Sequence, residues 1–138
     1  MFFDLNDEQN QLLERSQGMA ADFASRAGDH DRNATHPHEN YDRLREEGFL
    51  SLNISKEWGG AGIGLFDHTI AFEALAQGCP ATALAFNMHA SMVGPLTESD
   101  FVPEASKAYI ADLAVNKGKM IAGNFSEATS TSLIGERH

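Results

Sequence analysis

The chain has 138 residues with 20 acidic and 10 basic side chains, a formal net charge of −10. A chain of about 150 residues buries roughly 68–70% of its unfolded surface, so one domain with a real core fits and two do not. The acidic balance argues against nucleic acid and against an anionic membrane surface as partners.

No uninterrupted apolar run reaches the roughly 18 residues of a spanning helix. The N-terminal MFFDLNDEQ lacks the basic-then-apolar pattern of a signal peptide. A single cysteine, Cys79, cannot close an internal disulfide, so the expected compartment is the reducing cytoplasm.

In chain order, residues 6–27 predict a first helix. Leu12, Leu13, Ser16, Ala20, Phe23, Ala24 and Ala27 recur on one face at helical spacing. Asn6 with Gln9 three residues on reads as a capping box, and Gly28-Asp29 reads as the end of the helix. The polar stretch 29–38, closing on His36-Pro37-His38, reads as a connecting loop. Pro37 suits the start of a second helix with Tyr41 and Leu44 as its apolar stripe and Gly48 past its end. Phe49, Leu50, Leu52 and Ile54 alternate with Ser51, Asn53 and Ser55, which predicts an extended buried passage.

Residues 58–64 are too rich in glycine for a regular element and read as a loop. Across 58–97 only Asp67 and Glu73 carry formal charge. Asp67 is expected to cap a helix over 68–77, with Phe66 as its staple and Gly78 as its end. Pro80 is expected to open a further helix through residue 93, closed by Gly94-Pro95. That helix is apolar on nearly every side, so it is expected to be covered all round. Pro103 starts a short helix carrying Tyr109, Ile110 and Leu113. Residues 119–125 read as a strand with nothing in the chain to pair with. The fold class expected is therefore mainly α, a helical bundle with one C-terminal β-strand.

Few motifs carry chemistry by themselves. The run Gly59-Gly60-Ala61-Gly62 lacks the Lys-Ser/Thr of a phosphate loop and the strand–helix setting of a dinucleotide fingerprint. His30, His36, His38, His68 and His89 are scattered, where a zinc site needs convergent ligands; they read as loop histidines plus one packed His89, with no metal. Cys79 reads as a small buried thiol. Leu84, Phe86, Met88 and Met92 either line a pocket for an acyl chain or are plain core. No nucleophile elbow is present.

Three segments in order nevertheless carry a resemblance. The passage from Gly48-Phe49-Leu50 to Glu57-Trp58-Gly59-Gly60-Ala61-Gly62, the helix Glu73-Ala74-Leu75-Ala76 leading to Met88-His89, and Ala122-Gly123-Asn124-Phe125-Ser126-Glu127 are together similar to the N-terminal part of an acyl-CoA dehydrogenase. The resemblance implies an N-terminal helical domain over 1–118 and the start of a truncated middle β-domain over 119–138. A remaining C-terminal bundle would hold the glutamate that takes the α-proton of the acyl thioester, so no catalytic residue lies in this chain.

FAD is the implied cofactor, not retained by this chain alone, with the backbone of Phe125 and the hydroxyl of Ser126 at the flavin. Leu84, Asn87, Met88 and Ser91 match the helix that closes the acyl pocket, and Ser132 matches a serine near the CoA portion. Ala128, Thr131 and Leu133 depart from the family's proline, glycine and aspartate, and Thr131 weighs against close backbone approach to CoA. The bulk of Phe86 and Met88 predicts a short or absent acyl chain. The implied function is α,β-dehydrogenation of acyl-CoA thioesters, with a homo-oligomer as the implied assembly. The alternatives are a flavin monooxygenase or oxidase on the same fold, and a non-catalytic helical interaction module.

Overall fold

A computed structural model describes residues 4–123. Among them are five α-helices and no strand: α1 (Asp7–Asn33), α2 (His38–Glu46), α3 (Leu65–Gly78), α4 (Pro80–Glu98) and α5 (Glu104–Ala111). Short 3-10 turns at Phe49–Ser51 and Lys56–Trp58 link α2 to α3, and a π-helical turn at Asp112–Asn116 follows α5. The mainly helical fold read from the sequence is the fold observed.

The capping box at the start of α1 is present. The Gln9 amide donates to Asn6 Oδ1 at 2.9 Å, and the Asn6 amide donates to Gln9 Oε1 at 3.1 Å. The helix does not stop at Gly28. A mid-helix glycine costs only about 1 kcal/mol, and contacts on both sides of it hold the helical path. Arg26 reaches Asp22 within α1 and Asn40 of α2, and His30 lies 3.5 Å from Glu39. The helix ends instead at Ala34, whose φ of 51° lets Thr35 donate back to the His30 carbonyl at 3.0 Å. The expected loop 29–38 thus shrinks to residues 34–37, and the buried stripe of α1 is Leu12, Ser16, Met19, Ala20 and Phe23, with Ala24 exposed.

The apolar residues of 49–55 are buried as expected, but the stretch is not extended. Gly48 takes φ 74° past the end of α2 and turns the chain into the 3-10 turn, and that coiling brings Phe49, Leu50, Leu52 and Ile54 all inside. The glycine loop then folds back on this turn. Gly59, Gly60, Ala61, Gly62 and Ile63 donate to the carbonyls of Lys56, Ser55, Ser51, Ile54 and Leu52 at 2.8–3.1 Å. A Cβ at Gly60 would overlap the backbone of Ile54. This is the close packing that the composition required, and it leaves those amides nothing to offer a phosphate.

Helix α3 begins at Leu65 with Gly64 as its cap, three residues before the expected start. Asp67 sits inside the first turn and accepts from Gln9 Nε2 at 2.8 Å, so it joins α3 to α1 rather than capping. The two helices then run against each other until Gly78, where a Cβ would overlap the backbone of Ala20. Helix α4 passes straight through Gly94-Pro95 to Glu98. Pro95 withholds an N–H from the carbonyl of Ser91, but both residues face solvent, where water takes the place of the lost bond. The Thr97 hydroxyl donates to the Val93 and Gly94 carbonyls at 2.7 and 3.0 Å and closes the last turn.

The core is one apolar cluster of Phe23, Leu44, Phe49, Leu75 and Phe86 with a satellite of Ile54, Val93, Ala111 and Ala114. Full burial of each such large side chain is worth about 1.5–3 kcal/mol. One polar path crosses it: the Arg26 guanidinium donates to Asn40 Oδ1 at 2.7 Å, Asn40 Nδ2 to Thr82 Oγ1 at 2.8 Å, and Thr82 Oγ1 to Cys79 Sγ at 3.2 Å. Cys79 is buried, as read. Residues 119–123 form no strand, and the rest of the expected 119–125 strand lies outside the described residues. Among the described residues, no helix is long and apolar enough to cross a membrane.

Candidate functional site

Helix α4 turns one face to the core and the other outward. Ala83, Phe86, Ala90 and Val93 point in, so the expectation of a helix covered all round fails within this chain. On the outer face Leu84 is 65% exposed and Met88 49% exposed, with Ser91 exposed one turn further on. The spacing of three to four residues stacks these side chains in one stripe with Asn87 beside them. Four of the sequence-derived candidates, Leu84, Asn87, Met88 and Ser91, are therefore brought together. Phe86 is not with them. Its ring is fully buried, 4.6 Å from Phe72 and 6.5 Å from Phe49, so its bulk shapes the core and not an outer pocket.

Asn87 is tied to a residue that sequence reasoning did not place there. His68 of α3 brings Nε2 to 3.0 Å from Asn87 Oδ1 and Nδ1 to 3.2 Å from Asn53 Oδ1. Its ring stacks on Phe72 with centroids 4.0 Å apart. Burial pushes the His68 pKa below its ordinary value, with the Asn87 hydrogen bond acting the other way, so the ring is neutral near pH 7. A neutral imidazole donates from one nitrogen and accepts at the other, so one of the two carboxamides turns its NH2 toward the ring.

His68 stands between two open hollows. One, of about 380 Å³, is bounded by Phe72, Glu73, Leu84 and Asn87. The other, of about 340 Å³, is bounded by Asn53, Leu65, Ser91 and Pro95. Both are mostly apolar with a few polar groups from the Asn53–His68–Asn87 bridge, the lining expected of a small-molecule surface. The signal for His68 was available in the sequence: it is a lone polar ring one turn into a helix that is otherwise nearly uncharged.

The arrangement suits binding rather than bond making. Both His68 nitrogens are engaged by carboxamides, which leaves His68 no free nitrogen to act as a base, and the Ser91 hydroxyl donates to the Met88 carbonyl at 3.1 Å. No group of three or more His, Cys, Asp or Glu side chains that could hold a metal occurs among the described residues. Nor do the described residues form a dinucleotide cradle. The loop amides are consumed internally, and of the buried polar atoms without a partner, Ser55 Oγ and Trp58 Nε1, the latter belongs to a side chain packed on the Ile54–Val93 cluster. Phe125, Ser126 and Ser132, the candidates for flavin and CoA contact, lie outside the described residues.

Comparison with known proteins places these features in context. The profile of the acyl-CoA dehydrogenase N-terminal domain matches residues 6–116. YdbM of Bacillus subtilis (strain 168), whose name carries a provisional acyl-CoA dehydrogenase assignment, is 32% identical over 127 residues, covering 92% of this chain and 33% of that protein. The short-chain-specific acyl-CoA dehydrogenase of Clostridium acetobutylicum is 30% identical over 126 residues, 88% of this chain and 32% of its own length. A 3-sulfinopropanoyl-CoA desulfinase of Cupriavidus necator is 32% identical over 135 residues, 97% of this chain and 34% of its own length. The chain spans about a third of the length of these relatives.

Proposed function

The chain belongs to the acyl-CoA dehydrogenase family, and from that premise we propose that it is the N-terminal helical portion of a flavin-dependent oxidoreductase acting on short acyl-CoA thioesters. The observation that carries the reading is the outward face of α4. Leu84, Met88 and Ser91 are held in register by a well-packed core and are left uncovered by this chain, with Asn87 fixed by His68 beside them. In this reading residues 1–118 form the helical domain and 119–138 begin a middle domain, and the stripe closes one end of an acyl pocket.

The bulk of Met88 on that stripe would favour a short chain. The names of two relatives, one short-chain specific and one acting on 3-sulfinopropanoyl-CoA, support the same size class. Phe125 and Ser126 would meet FAD and Ser132 the CoA portion. Because the described residues offer no cradle for the cofactor, FAD would be held mainly by the remainder of the enzyme, and no chemical step is assigned to this chain. The reading includes cytoplasmic residence, supported by the single buried thiol, and a homo-oligomeric enzyme.

The test joins residues 1–138 to the remaining two-thirds of the Clostridium acetobutylicum relative. Flavin absorbance and the oxidation of short CoA thioesters by an artificial electron acceptor are then measured. The joined protein is expected to be yellow and active, and the 138-residue chain alone colourless and inactive. A folded joined protein without flavin or turnover, or stoichiometric flavin on the chain alone, overturns the reading.

A further inference from the structure

Both ring nitrogens of His89 are committed to backbone. Nε2 lies 2.8 Å from the Leu50 carbonyl oxygen and Nδ1 lies 2.9 Å from the Ile121 amide nitrogen, and the side chain is 1% exposed. A carbonyl can only accept and an amide N–H can only donate, so the ring must be neutral, with its proton on Nε2 and its lone pair on Nδ1. Among the described residues this is the one hydrogen bond that reaches residues 120–123. The ties before it, Lys119 N–H to the Leu113 carbonyl and Arg45 Nε to the Gly118 carbonyl, both at 2.8 Å, hold only the start of the segment. Beyond it Gly123 lies so close to Met92 that a Cβ would overlap the sulfur.

We propose that His89 is a pH-sensitive tether that pins residues 119–123 to α4 when neutral and releases them when protonated. A proton added at Nδ1 would point at the Ile121 N–H and turn the hydrogen bond into a donor–donor repulsion, inside a site that cannot solvate the new charge. No carboxylate is placed to rescue the cation. Helix α4 itself has no charged residue before Glu98, and the 3-10 turn has none between Glu47 and Lys56. Helix α3 carries Asp67, His68 and Glu73, of which His68 reaches His89 through the stacked rings of Phe72 and Phe86. From α2 comes Arg45, paired with Asp42; from the end of α5 and the segment itself come Tyr109, the Asp112–Lys117 pair, and Lys119.

The pH window follows from the direction of the shift. Burial lowers the His89 pKa, with the Leu50 carbonyl that accepts from Nε2 acting the other way, so the tethered state holds its stability above about 6.5, the value of a free imidazole. That stability is lost as the pH falls toward the depressed value. Between the two values the opening constant rises about tenfold per pH unit. The inference stands apart from the proposed enzymatic reading, and its failure would leave that reading untouched.

The experiment is residue-resolved amide exchange by NMR on the 138-residue chain between pH 7.5 and 5, corrected for intrinsic exchange. Protection at Ile121 is expected to fall by that slope while Met19 and Phe23 of α1 keep theirs. His89→Gln, which can donate and accept but not titrate, is expected to abolish the slope, and His89→Leu is expected to remove the Ile121 protection at every pH. A flat wild-type profile, a slope that persists in His89→Gln, or a slope shared by the α1 amides overturns the proposal. The wild-type profile decides even if a variant fails to fold.

Discussion

Asn40 shows how much of the structure rests on single polar side chains that local sequence cannot flag. It is fully buried, it accepts from Arg26 and donates to Thr82, and its partners are 14 and 42 residues away. In the sequence it is one polar residue among several on a short charged helix. Replacing it with leucine would leave the Arg26 guanidinium and the Thr82 hydroxyl short of a partner inside the protein. Asn40→Leu is expected to lower the unfolding free energy by about 1–3 kcal/mol, measured by urea denaturation with the slope unchanged. A loss below about 0.5 kcal/mol, the size of an ordinary surface change, would show that the path contributes nothing. His68 stands out in the sequence as a lone ring on a nearly uncharged helix, but its partners do not: Asn53 and Asn87 lie 15 and 19 residues away.

At the scale of elements, the helices were legible and their ends were not. Apolar spacing located α1 and α2, because a buried stripe must recur with the helical period whatever lies beyond it, and capping residues and prolines marked α3, α4 and α5. The stop signals at Gly28 and Gly94-Pro95 failed for different reasons: Gly28 lies on an exposed face with contacts to α2 beyond it, whereas Gly94 is packed against Asn53, Pro95 faces solvent, and Thr97 closes the turn that follows. The alternation over 49–55 misled in the opposite sense, since a tight turn can bury apolar residues without the period of two that a strand imposes. The crossing of α1 and α3 gives a test in which two glycines change sign. Gly18 has open space around it, so Gly18→Ala is expected to stabilise by up to about 1 kcal/mol, the ordinary gain in a helix. At Gly78 a methyl group meets the Ala20 backbone, so Gly78→Ala is expected to destabilise by about 1–3 kcal/mol. Thermal unfolding of the two variants beside the parent checks both, and a stabilised Gly78→Ala would mean that the helices part at no cost.

For the whole molecule, the charge arithmetic and the outer face of α4 belong to one description. The 20 acids and 10 bases are thin across 58–97, the stretch that supplies the two central helices, and the surface there is apolar. Leu65 is 82% exposed on the rim of the hollow that Ser91 also lines, and Leu84 and Met88 are exposed on the outer face of α4. A contiguous exposed apolar surface favours association. The chain is expected to self-associate in sedimentation velocity at high concentration, and Leu84→Lys with Met88→Lys is expected to return it to monomer. A wild-type chain that stays monomeric throughout would count against this. The four α4 residues of the site came from the resemblance to the family's pocket helix, and helical spacing is why they share one face. The flavin and CoA candidates fall beyond Gly123, where sequence remains the guide.

Cys79 has a use that follows from its position. The chain's one thiol lies buried at the start of α4, at the end of the polar path from Arg26, with the Thr82 hydroxyl donating to its sulfur. A thiol reagent can reach it only during excursions that part the junction of α1, α2 and α4. Modification of the native chain therefore acts as a clock on those excursions, at a site that no engineered label would need to disturb.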